Sequence, residues 1–190
     1  MKKIRLLLNP AKIHNLLFKN ERVSLDTYKK LIKIIPRLSI SSKIGVYGRD
    51  YQMPLTLNLS YEFLRLLGYY IAEGHAADDY LIISSGDKEI IEDFSRFFKG
   101  LNINFYWRPN SYDYQISSRF WREFLAYLCG ANSKEKHLPA FWPQLSKKQL
   151  ASLLSAYFSG DGGVEVNSIS CTTASKTLAS DIVWALTIFG

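Results

Sequence analysis

A chain of 190 residues that is 47% hydrophobic and 22% charged is long enough to bury a core and has the composition of an ordinary soluble globular protein. Its net charge of +7 favours a polyanionic partner. Cys129 and Cys171 form neither a metal-ligand spacing nor a disulfide framework, Asn9 and Pro10 interrupt the apolar start too early for a signal peptide, and no run reaches membrane-spanning length. A reducing, cytoplasmic setting is expected, with no membrane partner.

Residues 1–55 read as a basic helical segment with a connector. Leu16, Leu17 and Phe18 suggest a first short helix, and Ser24 with Asp26 starts a second through Tyr28, Leu31, Ile32 and Ile35 to Pro36. Lys29, Lys30 and Lys33 on that second helix make a candidate helix-turn-helix contact to DNA, against the alternative of a solvated amphipathic pair. Ile44 to Tyr47 is an expected strand, and Gly48 to Pro54 an expected connector.

Residues 56–132 carry a regular rhythm. A helix over Ser60 to Glu73 leads into a hairpin around Asp78 and Asp79, whose second strand is Tyr80 to Ser84. Asp87 through Phe98 is amphipathic, with Ile90, Ile91, Phe94, Phe97 and Phe98 on one side, and Gly100 ends it. Ile103 to Trp107 and Tyr112 to Ile116 form a second hairpin, and Phe120 to Leu128 a helix closing at Gly130. Strand alternation sets Ile103, Phe105 and Trp107 toward the helices and Asn104, Tyr106 and Arg108 outward, with Gln115 and Ser117 as companions. Asn and Arg suit adenine and guanine edges in a major groove.

Residues 133–190 repeat part of this order. Leu66 to Gly74 reads Leu-Leu-Gly-Tyr-Tyr-Ile-Ala-Glu-Gly, and a degraded copy, Leu-Ser-Ala-Tyr-Phe-Ser-Gly-Asp-Gly, spans Leu154 to Gly162. The acids Glu73 and Asp161 lie 88 positions apart. Small residues at i and i+4, Gly68 with Ala72, Ser155 with Ser159 and Ala156 with Gly160, give each helix a low ridge that permits close approach. Packed in parallel, the two helices bring both acids to one place. An acid there is doubly unfavourable, because a helix C-terminus is already partly negative and adjacent carboxylates repel. Together with last-turn carbonyls such as those of Ala72 and Gly160, the pair makes an oxygen-rich site of the kind Mg²⁺ uses. Gly74 and Gly162 suit the turn out of each helix.

These two motifs resemble those of the LAGLIDADG (dodecapeptide, DOD-type) homing endonucleases in their two-repeat, intein-like form, with Glu73 and Asp161 at the acidic position. Lys136-His137-Leu138-Pro139 looks like the family's Lys-x-hydrophobic-Pro block, and Thr172-Thr173-Ala174-Ser175-Lys176 resembles the segment after the second motif. The resemblance covers roughly residues 55 to 190 and implies an α+β fold, an αββαββα repeat whose sheet forms a saddle on DNA, followed by αββα. Val164 to Val166 and Ile169 to Thr173 would form the second repeat's hairpin, followed by a helix from Lys176 to Phe189. The second hairpin and last helix of that repeat are absent from the sequence, as in a fragment, a decayed element or a chain completed by a partner.

The implied reaction is hydrolysis of double-stranded DNA on both strands, dependent on Mg²⁺ or Mn²⁺ held by Glu73 and Asp161, with Lys136 assisting at the scissile phosphate. His75 is a candidate DNA contact. A monomer with pseudo-twofold repeats is expected. A DNA-binding relative without cleavage, and an RNA maturase, share the fold and remain alternatives. No splicing function is expected, since the chain has neither a nucleophile at position 1 nor a terminal His-Asn pair.

Overall fold

Short polar side chains open every α-helix among the residues described by the computed structural model, which are 24–33, 43–45, 52–54, 56–109 and 111–190. Ser24 Oγ accepts from Thr27 N at the start of α1 (Leu25–Ile32), and Ser60 Oγ from Phe63 N at the start of α2 (Tyr61–Glu73). Asp87 does the same for α3 (Lys88–Gly100), Ser118 for α4 (Arg119–Cys129) and Ser175 for α6 (Lys176–Thr187). Ser146 and Gln149 form a reciprocal capping box on α5 (Lys147–Asp161). Each such cap stabilises its helix by about 1 kcal/mol.

The chain divides into two units, Met1–Leu57 and Asn58–Gly190. In the first, α1 ends at Ile32 with Lys33 as its C-cap, and Lys29, Lys30 and Lys33 are exposed. The expected helix at Leu16 to Phe18 lies outside the described residues. The expected connector is in part a strand: β1 (Lys43–Gly45) pairs antiparallel with β2 (Gln52–Pro54).

In the second unit the order is α2, β3 (Gly74–Ala76), β4 (Leu81–Ser84), α3, β5 (Phe105–Trp107), β6 (Asp113–Ile116) and α4, then α5, β7 (Gly162–Val164), β8 (Ile169–Cys171) and α6. The first seven elements are the expected αββαββα, and the remainder the expected αββα. Strands β3, β4, β6 and β5 lie in that order in one antiparallel sheet; β7 and β8 make a separate hairpin. No described helix is long and apolar enough to cross a membrane.

The core of the first repeat is aromatic. Phe94 meets Phe105 and Tyr114 edge-on beneath the sheet, while Phe97, Phe98, Phe120 and Phe124 surround the fully buried Trp121. Such pairs contribute roughly 0.5–1.5 kcal/mol each beyond their burial. Phe63 stacks on Phe97 and Phe124, which ties α2 to α3 and α4.

The ladder register supports the expected two-face division. Phe105, Ile116 and Leu81 stand on one rung, and Tyr106, Gln115, Ile82 and His75 on the next, so the second set shares the face away from the helices. Trp107 corrects the expectation. It has the inward parity but is 54% exposed, because the strand ends there, and its indole Nε1 donates to Ser111 O at 2.6 Å. Asn104 is exposed just before β5, Ile103 is buried outside any strand, and α3 ends at Gly100 as expected, with Asn102 (φ 56°) the left-handed residue beyond it.

Candidate metal centre and nucleic-acid interface

The two motif helices pack through equivalent small residues. A methyl group added at Gly68 would lie 2.4 Å from Leu153 O and 2.7 Å from Ala156 Cβ, and one at Gly160 would lie 2.6 Å from Ala72 Cβ. Ala156 follows Gly68 by 88 positions and Gly160 follows Ala72 by the same number, so each small residue rests against its own counterpart. That is the signature of a local twofold relation between α2 and α5. Ser155 and Ser159 are not part of it. Both are exposed, and Ser159 Oγ bonds back to Ser155 O at 2.9 Å.

Both helices therefore end side by side at Glu73 and Asp161. Gly74 and Gly162 follow them in extended conformation (φ −89° and −86°), each opening the next strand. Glycine is needed there for room: an added Cβ would lie 2.4 Å from Tyr70 O and 2.2 Å from Phe158 O respectively.

The acids face a cavity of about 430 Å³ lined by Ala72, Glu73, Gly74, His75, Lys136 and Asp161 among others. Gly160 is not in the lining, although a Cβ added there would lie 3.2 Å from Glu73 Cγ, whereas Ala72 is. Burial raises the pKa of Glu73. Asp161 is pushed up to about 6, first by burial and then by the charge of Glu73, against the pull of Lys136. Two half-buried acids held together in this way favour a cation between them.

Lys136 reaches the same cavity by a defined route. After α4, Gly130 takes φ 86°, where an added Cβ would lie 2.1 Å from Glu135 O, so the chain can double back only with glycine. Tyr70 OH donates to Gly130 O at 2.8 Å, and Lys136 Nζ donates to Tyr70 O at 2.7 Å while lying 3.4 Å from the centroid of the Tyr70 ring. Ser175 Oγ donates to Lys136 O at 2.5 Å and Leu138 N donates to Asp181 Oδ2 at 3.0 Å, which fastens the segment to α6. Lys136 is only 3% exposed, and burial lowers its pKa to about 7 despite the opposing influence of Cys129 and Asp161. It forms no salt bridge with either acid.

Ile71, Asn132, Ser133, Thr172, Thr173 and Ala174 complete the lining. The threonine pair belongs to a segment the sequence marked, but Asn132 and Ser133 carry no sequence signal. They are brought in by the Gly130 turn and by Ala76 N donating to Ala131 O at 3.1 Å. His137 lies beside the site and is half-buried, with Nδ1 against Leu138 O at 2.9 Å.

The outer sheet face lies beside this cavity, with exposed His75 belonging to both. Across it run Tyr106, which is 51% exposed, nearly buried Gln115, and Arg108, whose Nε and Nη2 donate to Gln115 Oε1 at 3.0 and 2.8 Å. Gln115 Nε2 donates to Ser117 Oγ at 3.2 Å. The structure thus gathers Glu73, Asp161, Lys136, Ala72 and His75 at one cavity, and Arg108, Gln115, Ser117 and Tyr106 on one face. Lys29, Lys30 and Lys33 belong to the other unit.

A model of the LAGLIDADG-like domain matches residues 60–128 and 148–190, which cover both repeats. The chain belongs to the LAGLIDADG homing-endonuclease family. Relatives of this family member include the DNA-directed RNA polymerase subunit Rpo1C of Methanocaldococcus jannaschii, 30% identical over 80% of this chain and 18% of that one. The replication factor C small subunit of the same organism is 31% identical over 68% of this chain and 7% of its own length. The DNA polymerase II large subunit of Thermococcus kodakarensis is 32% identical over 63% and 7%. The chain spans less than a fifth of each of these relatives. Among solved structures, the crystal structure of I-DmoI in complex with DNA and Mn aligns with a TM-score of 0.49 and 13% identity, over 70% of this chain and 80% of that one.

Proposed function

We propose that this chain is a site-specific DNA endonuclease that hydrolyses phosphodiesters on both strands of a duplex with Mg²⁺ or Mn²⁺. The observation that carries this reading is the convergence of Glu73 and Asp161 at one cavity, on helices that meet through their own counterparts, with a buried lysine in the wall.

The donor set fits a hard divalent ion. Two carboxylates and last-turn carbonyls are oxygen donors of the kind hard ions take, and since no group of three or more His, Cys, Asp or Glu gathers among the described residues, the protein itself would supply few of the ligands. Glu73 and Asp161 would hold the ion, leaving positions for phosphate oxygens and water. A divalent ion so bound supplies Lewis-acid polarisation of the phosphate and a more acidic water. Lys136, with a pKa near 7, can give or take a proton at Nζ near neutral pH and can stabilise charge developing at the phosphate. The outer sheet face and the net positive charge would position the duplex, so binding should weaken steeply with salt.

The relatives bear on origin. An RNA polymerase subunit, a replication factor subunit and a DNA polymerase subunit have unlike names, yet this chain matches only a small part of each. A segment inserted in unlike hosts fits that pattern, and we read the chain as the nuclease portion of an intein.

Cleavage of a randomised plasmid library with Mg²⁺ or Mn²⁺ tests the reading. Linear product that disappears in both Glu73→Gln and Asp161→Asn is the expected result. Duplex binding without cleavage under any divalent ion would overturn it in favour of a binding protein.

A further inference from the structure

Lys136 commits its side chain to the first repeat, where Nζ meets the carbonyl and ring of Tyr70, and its main chain to the second. Ser175 Oγ, buried at the head of α6, donates to Lys136 O at 2.5 Å while accepting from Leu178 N at 3.2 Å. Two residues on, Leu138 N donates to Asp181 Oδ2 at 3.0 Å. Between them His137 N donates to Cys129 O at 3.2 Å. Three consecutive residues are thus held, two of them by side chains of α6.

The first repeat uses the equivalent positions otherwise. Asp181 follows Asp93 by 88 positions, the offset that relates the two motif helices, and Ser175 follows Asp87, the cap of α3, by the same number. Asp93 accepts from Tyr69 OH at 2.9 Å and pairs with Arg65. The residue equivalent to Arg65 is Leu153, which has no charge to offer, and the second acid is instead turned to the peptide beside Lys136.

From this clamp we propose that Ser175 and Asp181 are positioning residues for the cleavage reaction, acting through Lys136. The inference rests on the nuclease reading given above. Lys136 lies outside any helix or strand, so no regular ladder fixes its Cα, and the bonds that do so must come from side chains and isolated carbonyls. A carboxylate acceptor on a backbone N–H makes one of the stronger bonds available. Displacing a group that serves a reacting phosphate by about 1 Å can slow the reaction on the order of 100-fold.

The test has two arms, both on the full chain. In the first, without DNA or metal, the protein is acetylated by a lysine-reactive ester, and labelling of Lys136 is compared by mass spectrometry with that of exposed Lys134. In the second, single-turnover cleavage with Mn²⁺ is followed on a duplex recovered from the randomised library. Ser175→Ala and Asp181→Ala should each raise the Lys136-to-Lys134 labelling ratio roughly tenfold, the worth of one such bond, and slow cleavage by about 100-fold with duplex affinity unchanged. Ser175→Thr keeps the hydroxyl and Asp181→Asn keeps an acceptor oxygen, so both should recover most of the rate. Asp87→Ala, which removes the equivalent cap of α3, should change neither readout and controls for a general loss of stability. A raised ratio with cleavage unchanged, or slowed cleavage with the ratio unchanged, overturns the proposal and leaves the nuclease reading standing. Wild type that binds duplex DNA but cuts none overturns both.

Discussion

The two repeats keep register for more than forty residues without an insertion, yet they share almost nothing except at the line where they touch. Gly68 and Ala156, Ala72 and Gly160, Glu73 and Asp161, and Gly74 and Gly162 are equivalent by position and similar in size or charge. Away from that line the environments part. Leu81 is fully buried in β4, which β6 flanks and α2 and α4 pack against, while its counterpart Ile169 is 69% exposed on a two-stranded hairpin; Phe98 is fully buried against Trp121, while its counterpart Leu186 is 43% exposed. The lesson is that symmetry is maintained by contact. Helices that must approach within a methyl group and deliver two acids to one cavity tolerate little change, whereas the outer elements answer only to their own neighbours.

Substitutions at matched positions sharpen this contrast. Leu81→Ala should destabilise the chain by about 2–5 kcal/mol, and Ile169→Ala by less than about 0.5 kcal/mol, as measured by urea denaturation. Equal costs would mean that the second hairpin is covered in solution. At the shared seam, Gly68→Ala should cost about 3 kcal/mol because its new methyl meets backbone of the other helix, whereas Gly100→Ala, with nothing within 4 Å, should gain up to ~1 kcal/mol.

The titrating groups test the chemistry of the seam, where Lys136 is the buried lysine among the described residues. Lys136 has a folded pKa of about 7, below its ordinary 10.5. Between those values the unfolded chain binds more protons, so this residue makes stability rise as pH climbs through that window. Lys136→Met should flatten that slope in a pH series of melts, and slow cleavage by about 100-fold if the lysine stabilises the reacting phosphate. Asp161 has the opposite sign. Its pKa is raised from 3.8 to about 6, so the folded chain binds more protons in between and stability falls as pH rises through that range. Asp161→Asn should therefore raise the melting temperature at pH 7 by a few degrees, roughly, even as it abolishes cleavage.

What could be read in the sequence were local signals and their repetition. Helices beginning near Ser60, Asp87 and Lys176, the aromatic stripe of α3 and the doubled small-residue motif each follow from spacing alone, and the structure has them where expected. Which of two ridges on α5 would face α2 could not be read so, because Ser155 with Ser159 and Ala156 with Gly160 are equally small; only the approach of the other helix decides. Lys136 entered the site through the family resemblance, and spacing alone says nothing of its burial, which comes from the Tyr70 ring and carbonyl beneath it. Trp107 has the parity of a core residue, but parity says nothing about where a strand ends. Asn132 and Ser133 reach the cavity through a glycine turn and a tyrosine 60 positions before that glycine, a connection no local pattern encodes.

The central claim is that Glu73 and Asp161 hold one cation jointly. Isothermal titration of Mn²⁺ into the full chain, the two single variants Glu73→Gln and Asp161→Asn, and the double variant measures this without DNA or catalysis. Shared ligation predicts that each single variant weakens binding by about tenfold or more, a loss of ~1.4 kcal/mol or more, and that the double variant binds no more tightly than either. Mn²⁺ affinity unchanged in both single variants would contradict it.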